Sequence, residues 1–314
     1  MNPHAPPDAP LLRRFGVTPA DLLGRGGESD VYALDAGRVL RVYGGDDLGY
    51  LARRKAFYDW LRGQGLPFAT PEVWDVGREG EHLYALERRM AGRDFAQVLS
   101  TLDGADRARA MASYLKVAGQ IGRVTLPGQP FGELVTPDAP LQAATWEEYL
   151  AQRMERILAE SYPYLAEDVP DVAGVLAEVE RRLAQVAGWQ DKRLVHGDYF
   201  PGNVFIDADL TVCGVGDFGY STLAGDPRLD LAGALAFVEV VDGYRPEDSV
   251  WLRRELAAHW GAEMLTVAES YRLYYAIYFS RCKVDDPRTY RWCVGALRAL
   301  RPTGTAAERT EANL

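Results

Sequence analysis

The hydrophobic pattern of this chain changes period once, near Ala91 and Gly92, and that change limits the folds open to it. From Leu22 to Glu87 the segments "DVYAL", "RVLRVY" and "HLYALERRM" alternate or run apolar over short lengths, separated by glycine-rich breaks, as antiparallel strands joined by turns do. One stretch interrupts them. Phe57, Trp60 and Leu61 fall at i, i+3 and i+4 within Leu48 to Arg62, which predicts a helix packed on the small sheet. After "MAGRDF" the stripes lengthen: Trp146, Tyr149, Leu150, Met154, Ile157 and Leu158 share one face of a helix over Thr145 to Glu160, opened by a Thr145/Glu148 capping box. A second helix carries Val175, Leu176, Val179, Leu183 and Val186, and more follow from Pro227 onward. Strands first and helices afterwards predict an α+β architecture, and 314 residues are more than one compact core usually takes. The expected division is a flexible tail over residues 1–19, a small sheet lobe over 20–91 ending in a strand that reaches Met90, a mainly helical lobe over 92–302 and a flexible tail over 303–314, with a ligand cleft between the lobes.

Composition excludes several classes. With 47% hydrophobic and 25% charged residues the chain has the balance of a folded globular protein. A net charge of −10 argues against a general nucleic-acid binder, which needs a basic face to neutralise phosphates. The three cysteines show no CxxC spacing, so neither a disulfide framework nor a zinc site is expected. The start "MNPHAPPDAP" lacks the regions of a signal peptide, and the longest apolar run, Leu229 to Val241, is broken by Asp230 and Glu239. A cytoplasmic protein with no membrane span is the expectation.

The stretch "RLVHGDYFPGNVFI" places Asp198 and Asn203 on a turn-rich loop between the apolar runs Leu194-Val195 and Val204-Phe205-Ile206. Loops held by a scaffold carry functional groups, although Asp and Asn are also ordinary turn formers. Downstream, "LTVCGVGDFGYSTLAGDPRLDLA" is a strand ending at Asp217. Three oxygen-bearing side chains at the ends of adjacent short strands suit phosphoryl transfer. Magnesium takes one or two oxygen ligands beside substrate phosphates, a role for Asn203 and Asp217, while a further carboxylate, Asp198, can accept the proton of an attacking hydroxyl.

Taken together, "HGDYFPGNVFID", "GDFG" and "GDPRLDLA" resemble the aminoglycoside phosphotransferase family, whose fold is protein-kinase-like. The resemblance extends over most of residues 20 to 300 and is densest from Arg193 to Leu231. It implies a bilobal enzyme that moves the terminal phosphoryl group of ATP or GTP, with Mg2+, to a hydroxyl of an alcohol, sugar or aminocyclitol. Asp198 falls on the family's catalytic aspartate, and Asn203 and Asp217 on its metal ligands. Near the N-terminus, "LLGRGGESDVYAL" resembles the glycine loop that covers the nucleotide: Gly24, Gly26 and Gly27 admit phosphate oxygens close to the backbone, and Ser29 stands where protein kinases have a third glycine. The backbone around Glu87, Arg88 and Met90 is expected to face the base.

Two departures accompany the resemblance. The strand lysine that grips the phosphates in protein kinases is here Arg41, which keeps the charge. The partner carboxylate on the following helix gives way to the basic run Arg53-Arg54-Lys55; Asp59 lies on the far side of the helix, and no partner for Arg41 is legible. His196 and Asp230 read as structural supports of the catalytic loop. The aromatic run Tyr271 to Phe279 reads as helix packing. Acidic residues between Val241 and Asp286, Asp242, Glu247, Asp248, Glu255, Glu263 and Glu269, lie where family analogy puts the acceptor pocket, mixed with arginines. A protein kinase is disfavoured by the missing Ala-Pro-Glu after Gly219, and a nucleotide-binding regulatory module by the retained Asp198.

Overall fold

The computed structural model describes residues 9–26, 29–44, 47–136 and 139–300. Residues 1–8 and 303–314, two parts of the expected tails, lie outside these, as does Gly27. The fold is α+β and bilobal. Five antiparallel strands come first: β1 (Leu22–Arg25), β2 (Ser29–Ala33), β3 (Arg38–Tyr43), β4 (Val73–Glu79) and β5 (His82–Arg88), ordered β1-β2-β3-β5-β4.

Side-chain alternation gives this sheet two different faces. Tyr32, Leu40, Val42 and Tyr84 point one way and are covered by Leu11 and Leu12 of helix α1 (Ala9–Phe15) together with Val17. Within the expected flexible tail over 1–19, the described residues from Ala9 onward instead supply an apolar pair, Leu11 and Leu12, that closes the outer face. On the other face, Tyr43, Leu83 and Ala85 meet helix α2 (Leu48–Arg62), whose N-cap Asp47 accepts the Tyr50 N–H at 2.8 Å. The helix bounds agree with the sequence, but its buried stripe does not. Tyr50, Leu51, Arg54, Tyr58 and Leu61 face inward while Trp60 is exposed; an arginine at the centre of the stripe disguised it.

The remaining elements are β6 (Arg93–Asp94), α3 (Phe95–Leu99), α4 (Gly104–Ile121), β7 (Phe131–Glu133), β8 (Gln142–Ala143), α5 (Trp146–Asp168), α6 (Val172–Ala184), β9 (Arg193–Val195), β10 (Val204–Ile206), β11 (Val212–Val215), β12 (Leu223–Gly225), α7 (Arg228–Val238), α8 (Pro246–Trp260), α9 (Met264–Tyr278) and α10 (Pro287–Arg298). The Thr145/Glu148 capping box forms at the start of α5. The longest apolar run becomes α7, buried on every side against α4, α8 and α9, as a helix hydrophobic all round should be. Among the described residues no helix is long and apolar enough to cross a membrane.

Strand β5 ends at Arg88, short of the expected Met90, and the Arg89 N–H makes a last bond in register to the Gly37 carbonyl at 2.9 Å. The chain then enters the helical region through Gly92, at φ 90°, where a Cβ would stand 2.8 Å from the Ile206 carbonyl oxygen. Only glycine permits that approach. It lets β6 pair with β10, so the link between the two regions is laid beside the loop that carries Asp198 and Asn203.

Candidate active site

Strands β9 and β10 flank this loop but do not pair. Strand β9 belongs to the sheet β8-β7-β12-β9 and β10 to the sheet β11-β10-β6, which corrects the expectation of adjacent strands. The loop bridges two sheets and is anchored to both. Gly197, at φ 76°, lies so close to the Ser221 carbonyl that a Cβ would stand 1.9 Å from its oxygen. Fully buried Asp230, in the first turn of α7, accepts the backbone N–H groups of His196 at 2.7 Å and Gly197 at 2.9 Å.

Gly216 is the point where the pieces meet. Val204 pairs with Val215, so Asn203 stands opposite Gly216 and its carbonyl accepts the Gly216 N–H at 2.8 Å. Buried His196 donates from Nε2 to the Gly216 carbonyl at 2.8 Å, and its Nδ1 accepts the Asp198 N–H at 3.2 Å. Both ring nitrogens serve the backbone, and burial lowers the pKa of the ring, so His196 is a neutral brace. Asn203 Nδ2 donates to the Asp198 carbonyl at 2.9 Å and approaches Asp198 Oδ2 at 3.4 Å. Asp217 follows Gly216 directly, in the left-handed region at φ 59°, a conformation that Asp tolerates better than most residues and that recurs at functional sites. Asp198, Asn203 and Asp217 are thus brought together, and Asp198 and Asp217 line one cleft of about 540 Å3.

Asp230 carries a pH signature. Burial pushes its carboxyl up to about 7, against the two backbone N–H bonds that favour the charged form. The folded chain then holds this proton more tightly than the unfolded one, so its contribution to stability is complete below 3.8 and is lost as pH rises through about 7. Unfolding free energy is expected to fall with a slope of at most about 1.4 kcal/mol per pH unit across that window. Urea titrations of the wild type and Asp230→Asn check this: equal pH slopes in the two proteins would remove Asp230 as the source.

The partner of Arg41 is Glu87. Register sets Arg41 opposite Ala85, so Glu87 lies diagonally on the same face of the sheet; Arg41 Nε donates to Glu87 at 3.2 Å and Nη1 to Ser29 Oγ at 3.1 Å. Glu87, expected to contribute backbone only, is a buried counter-ion, and Ser29 is a side-chain acceptor. Arg88 gives its N–H to the Glu72 carbonyl and its side chain to Glu72, while Met90 packs over Gly214 of β11. Gly24 and Gly26 lie in the β1–β2 hairpin with no atom within 3.4 Å of the place a Cβ would take and with ordinary φ, so their use is open space rather than strain. Asp59 pairs with Lys55 and Arg62 on the outside of α2.

Sequence reasoning missed Arg54. It lies on the buried stripe of α2, 2.5 Å from Asp217 Oδ1. Partial desolvation of the half-exposed Asp217 carboxyl favours its neutral form, but the guanidinium charges of Arg54 and Arg41 outweigh this and hold the group below the usual carboxylate range. The rest of the cleft was also unforeseen. Its lining includes Glu133 of β7, Arg153, Arg156 and Glu160 of α5, Ser221, Tyr278 at the end of α9, and Phe279 and Arg281 just beyond it. Glu133 and Arg153 form a buried ion pair, Arg153 Nη2 donates to the Tyr278 hydroxyl at 3.0 Å, and that hydroxyl lies 2.8 Å from Ser221 Oγ. Most of the run Tyr271 to Phe279 does pack α9, but Tyr278 and Phe279 also face the cleft. None of the acidic residues singled out between Val241 and Asp286 lines it; Asp248, for example, is buried against Arg107.

A small sheet over a helical region, with an Asp-Asn-Asp constellation between them, defines a protein-kinase-like enzyme. The sequence matches the phosphotransferase enzyme family over residues 21–272, and the chain belongs to that family. Among solved structures it is similar to the aminoglycoside phosphotransferase APH(2")-IIa with gentamicin (15% identity, TM-score 0.64) and with streptomycin and ATP (14%, 0.62), each comparison covering 94% of this chain and 97% of the other. It is also similar to the aminoglycoside phosphotransferase APH(3'')-Id from Streptomyces rimosus (20%, 0.54; 83% and 96% covered). At these identities the likeness concerns the fold. No curated protein matches the chain.

Proposed function

We propose that this phosphotransferase is a small-molecule kinase, moving the terminal phosphoryl group of ATP or GTP to a hydroxyl of an alcohol, sugar or aminocyclitol. The observation that carries this reading is the meeting of Asp198, Asn203 and Asp217 around Gly216 at a solvent-open cleft. The similar structures are described as complexes with ATP, GDP or ADP and with gentamicin, kanamycin or streptomycin, which supports a nucleotide co-substrate and a polyhydroxylated acceptor.

The donor set fits a hard divalent cation. Asn203 uses its amide nitrogen on Asp198, which leaves Oδ1 for a metal, and the Asp217 side chain is 47% exposed. The ion would be held by Asn203 and Asp217 and would neutralise charge on the phosphates. Arg41, fixed by Glu87 and Ser29, presents its remaining donors to the same phosphates. The hairpin that carries Gly24 and Gly26 covers them, and the backbone from Glu87 to Met90 faces the base. Asp198 orients the acceptor hydroxyl and takes its proton as the bond to phosphorus forms.

A peptide acceptor has less support, because the chain after Gly219 turns at once into β12, which is paired on both sides by β7 and β9. The deciding experiment is a phosphorylation screen with ATP and GTP against aminoglycosides, macrolides, choline, homoserine and sugars; tight nucleotide binding with no transfer to any acceptor would favour a regulatory module instead. Arg41→Ala is expected to raise the KM for nucleotide roughly tenfold or more, the weight of a charge-assisted hydrogen bond. Arg41→Lys should recover part of that loss. An unchanged KM in Arg41→Ala would remove the residue from the phosphate site.

A further inference from the structure

The face of α2 that meets Asp217 carries a cation rather than a carboxylate. The Arg54 side chain is 5% exposed, and its Nη2 donates to Asp217 Oδ1 at 2.5 Å. Its Nε donates to the Tyr58 hydroxyl at 3.2 Å, and the guanidinium lies 5.7 Å from the centre of that ring. The Tyr58 hydroxyl donates in turn to the Phe218 carbonyl at 2.9 Å, so one turn of α2 holds the whole Asp217-Phe218 step. Arg41 is meanwhile occupied within the sheet by Glu87 and Ser29. Arg54 of α2 thus bonds this carboxylate, the charge of Arg41 on β3 also acts on it, and it opens to the cleft. A salt bridge serving stability alone has no need of a half-exposed acid in a left-handed backbone conformation.

We infer that Arg54 is a second phosphate-binding cation, held on Asp217 while the nucleotide site is empty and passed to the nucleotide phosphates when a divalent cation takes that carboxylate. This rests on the proposed metal role of Asp217. A metal ion and a guanidinium repel one another across a shared carboxylate oxygen, so an ion entering alone must work against Arg54. Arg54 is too deeply placed to hand its charge to water cheaply, and an arriving phosphate gives it an anion of matching geometry. Metal and nucleotide then favour one another's binding, each to the same degree as the other.

The test uses the full chain with Arg54→Met, which keeps length and packing against Tyr58 but removes the charge, and Arg54→Gln, which keeps a donor to Asp217. Binding of Mn2+ alone is followed by electron paramagnetic resonance, binding of ADP in saturating Mn2+ by calorimetry, and folding by thermal melting. Loss of Arg54's charge is expected to tighten Mn2+ alone about tenfold and to weaken ADP in saturating Mn2+ about tenfold, the size of one charge-assisted contact. Arg54→Lys should restore part of the ADP affinity. A purely structural role would move both affinities down together or move neither. Should Arg54→Met not fold, Arg54→Gln reads the same two opposite shifts. Mn2+ binding that needs Asp217 yet is equal in the wild type and Arg54→Gln overturns the role given to Arg54; Mn2+ binding that survives Asp217→Asn overturns the metal assignment itself.

Discussion

Asp198→Asn is expected to lower the catalytic constant about a hundredfold to ten-thousandfold while nucleotide affinity stays near that of the wild type. Removing the charge takes away the proposed acceptor for the hydroxyl proton, and in a loose transition state that proton leaves late, so orientation of the acceptor should suffer as well. The fold should not register the change. The backbone of residue 198 keeps its bonds to His196 Nδ1 and Asn203 Nδ2, and neither depends on the side-chain charge. Asn is also nearly the same shape as Asp, so the test reads chemistry and not a cavity. Single-turnover rates with the acceptor found in the screen, beside nucleotide titrations of both proteins, check the split between turnover and binding. A wild-type rate of transfer would show that Asp198 is not the base.

Asp217→Asn should be nearly as damaging, through a different quantity. It removes the charged ligand of the proposed metal site, and metal-assisted phosphoryl transfer is worth several kcal/mol, so turnover should fall at least about a hundredfold. Here nucleotide affinity should fall too, in Mg2+ but not in chelator, because the lost contact exists only when the ion bridges protein and phosphate. Asn is chosen over Ala because residue 217 stands at φ 59°, where Asn, like Asp, is tolerated and Ala is strained. Calorimetry with and without Mg2+ reads the difference; the same Mg2+ dependence in both proteins would remove Asp217 from the metal site.

The order of effects along the chain follows from this geometry. In the proposed mechanism Asp198 acts at the hydroxyl, Asp217 and Asn203 at the bridging ion, and Arg41 with Arg54 at the phosphates, so each substitution should change a different ratio of kcat, KM and metal dependence. A variant that lowered all three equally would point to the shared support at Gly216, where His196 and Asn203 fix the two loops.

What the sequence by itself determined is local. The loop from Arg193 to Ile206 could be read because its glycines, its proline and its two flanking apolar runs act on their own neighbours, and the capping box at Thr145 and Glu148 forms within one helical turn. The family match over residues 21–272 takes in that same dense stretch of motifs. Tertiary structure decided which charges meet. Arg41 finds Glu87 because the β3–β5 register puts them on one face of the sheet, and Arg54 finds Asp217 across the packing of α2 on the loop after β11. Neither pairing leaves a trace in spacing, since the partners lie 46 and 163 residues apart. The same holds for Glu133, Arg153 and Tyr278, which reach one cleft from β7, α5 and α9. An arginine in an apolar stripe reads as a surface residue until the carboxylate opposite it is known, because burial of a charge depends on a partner that only the packed chain supplies.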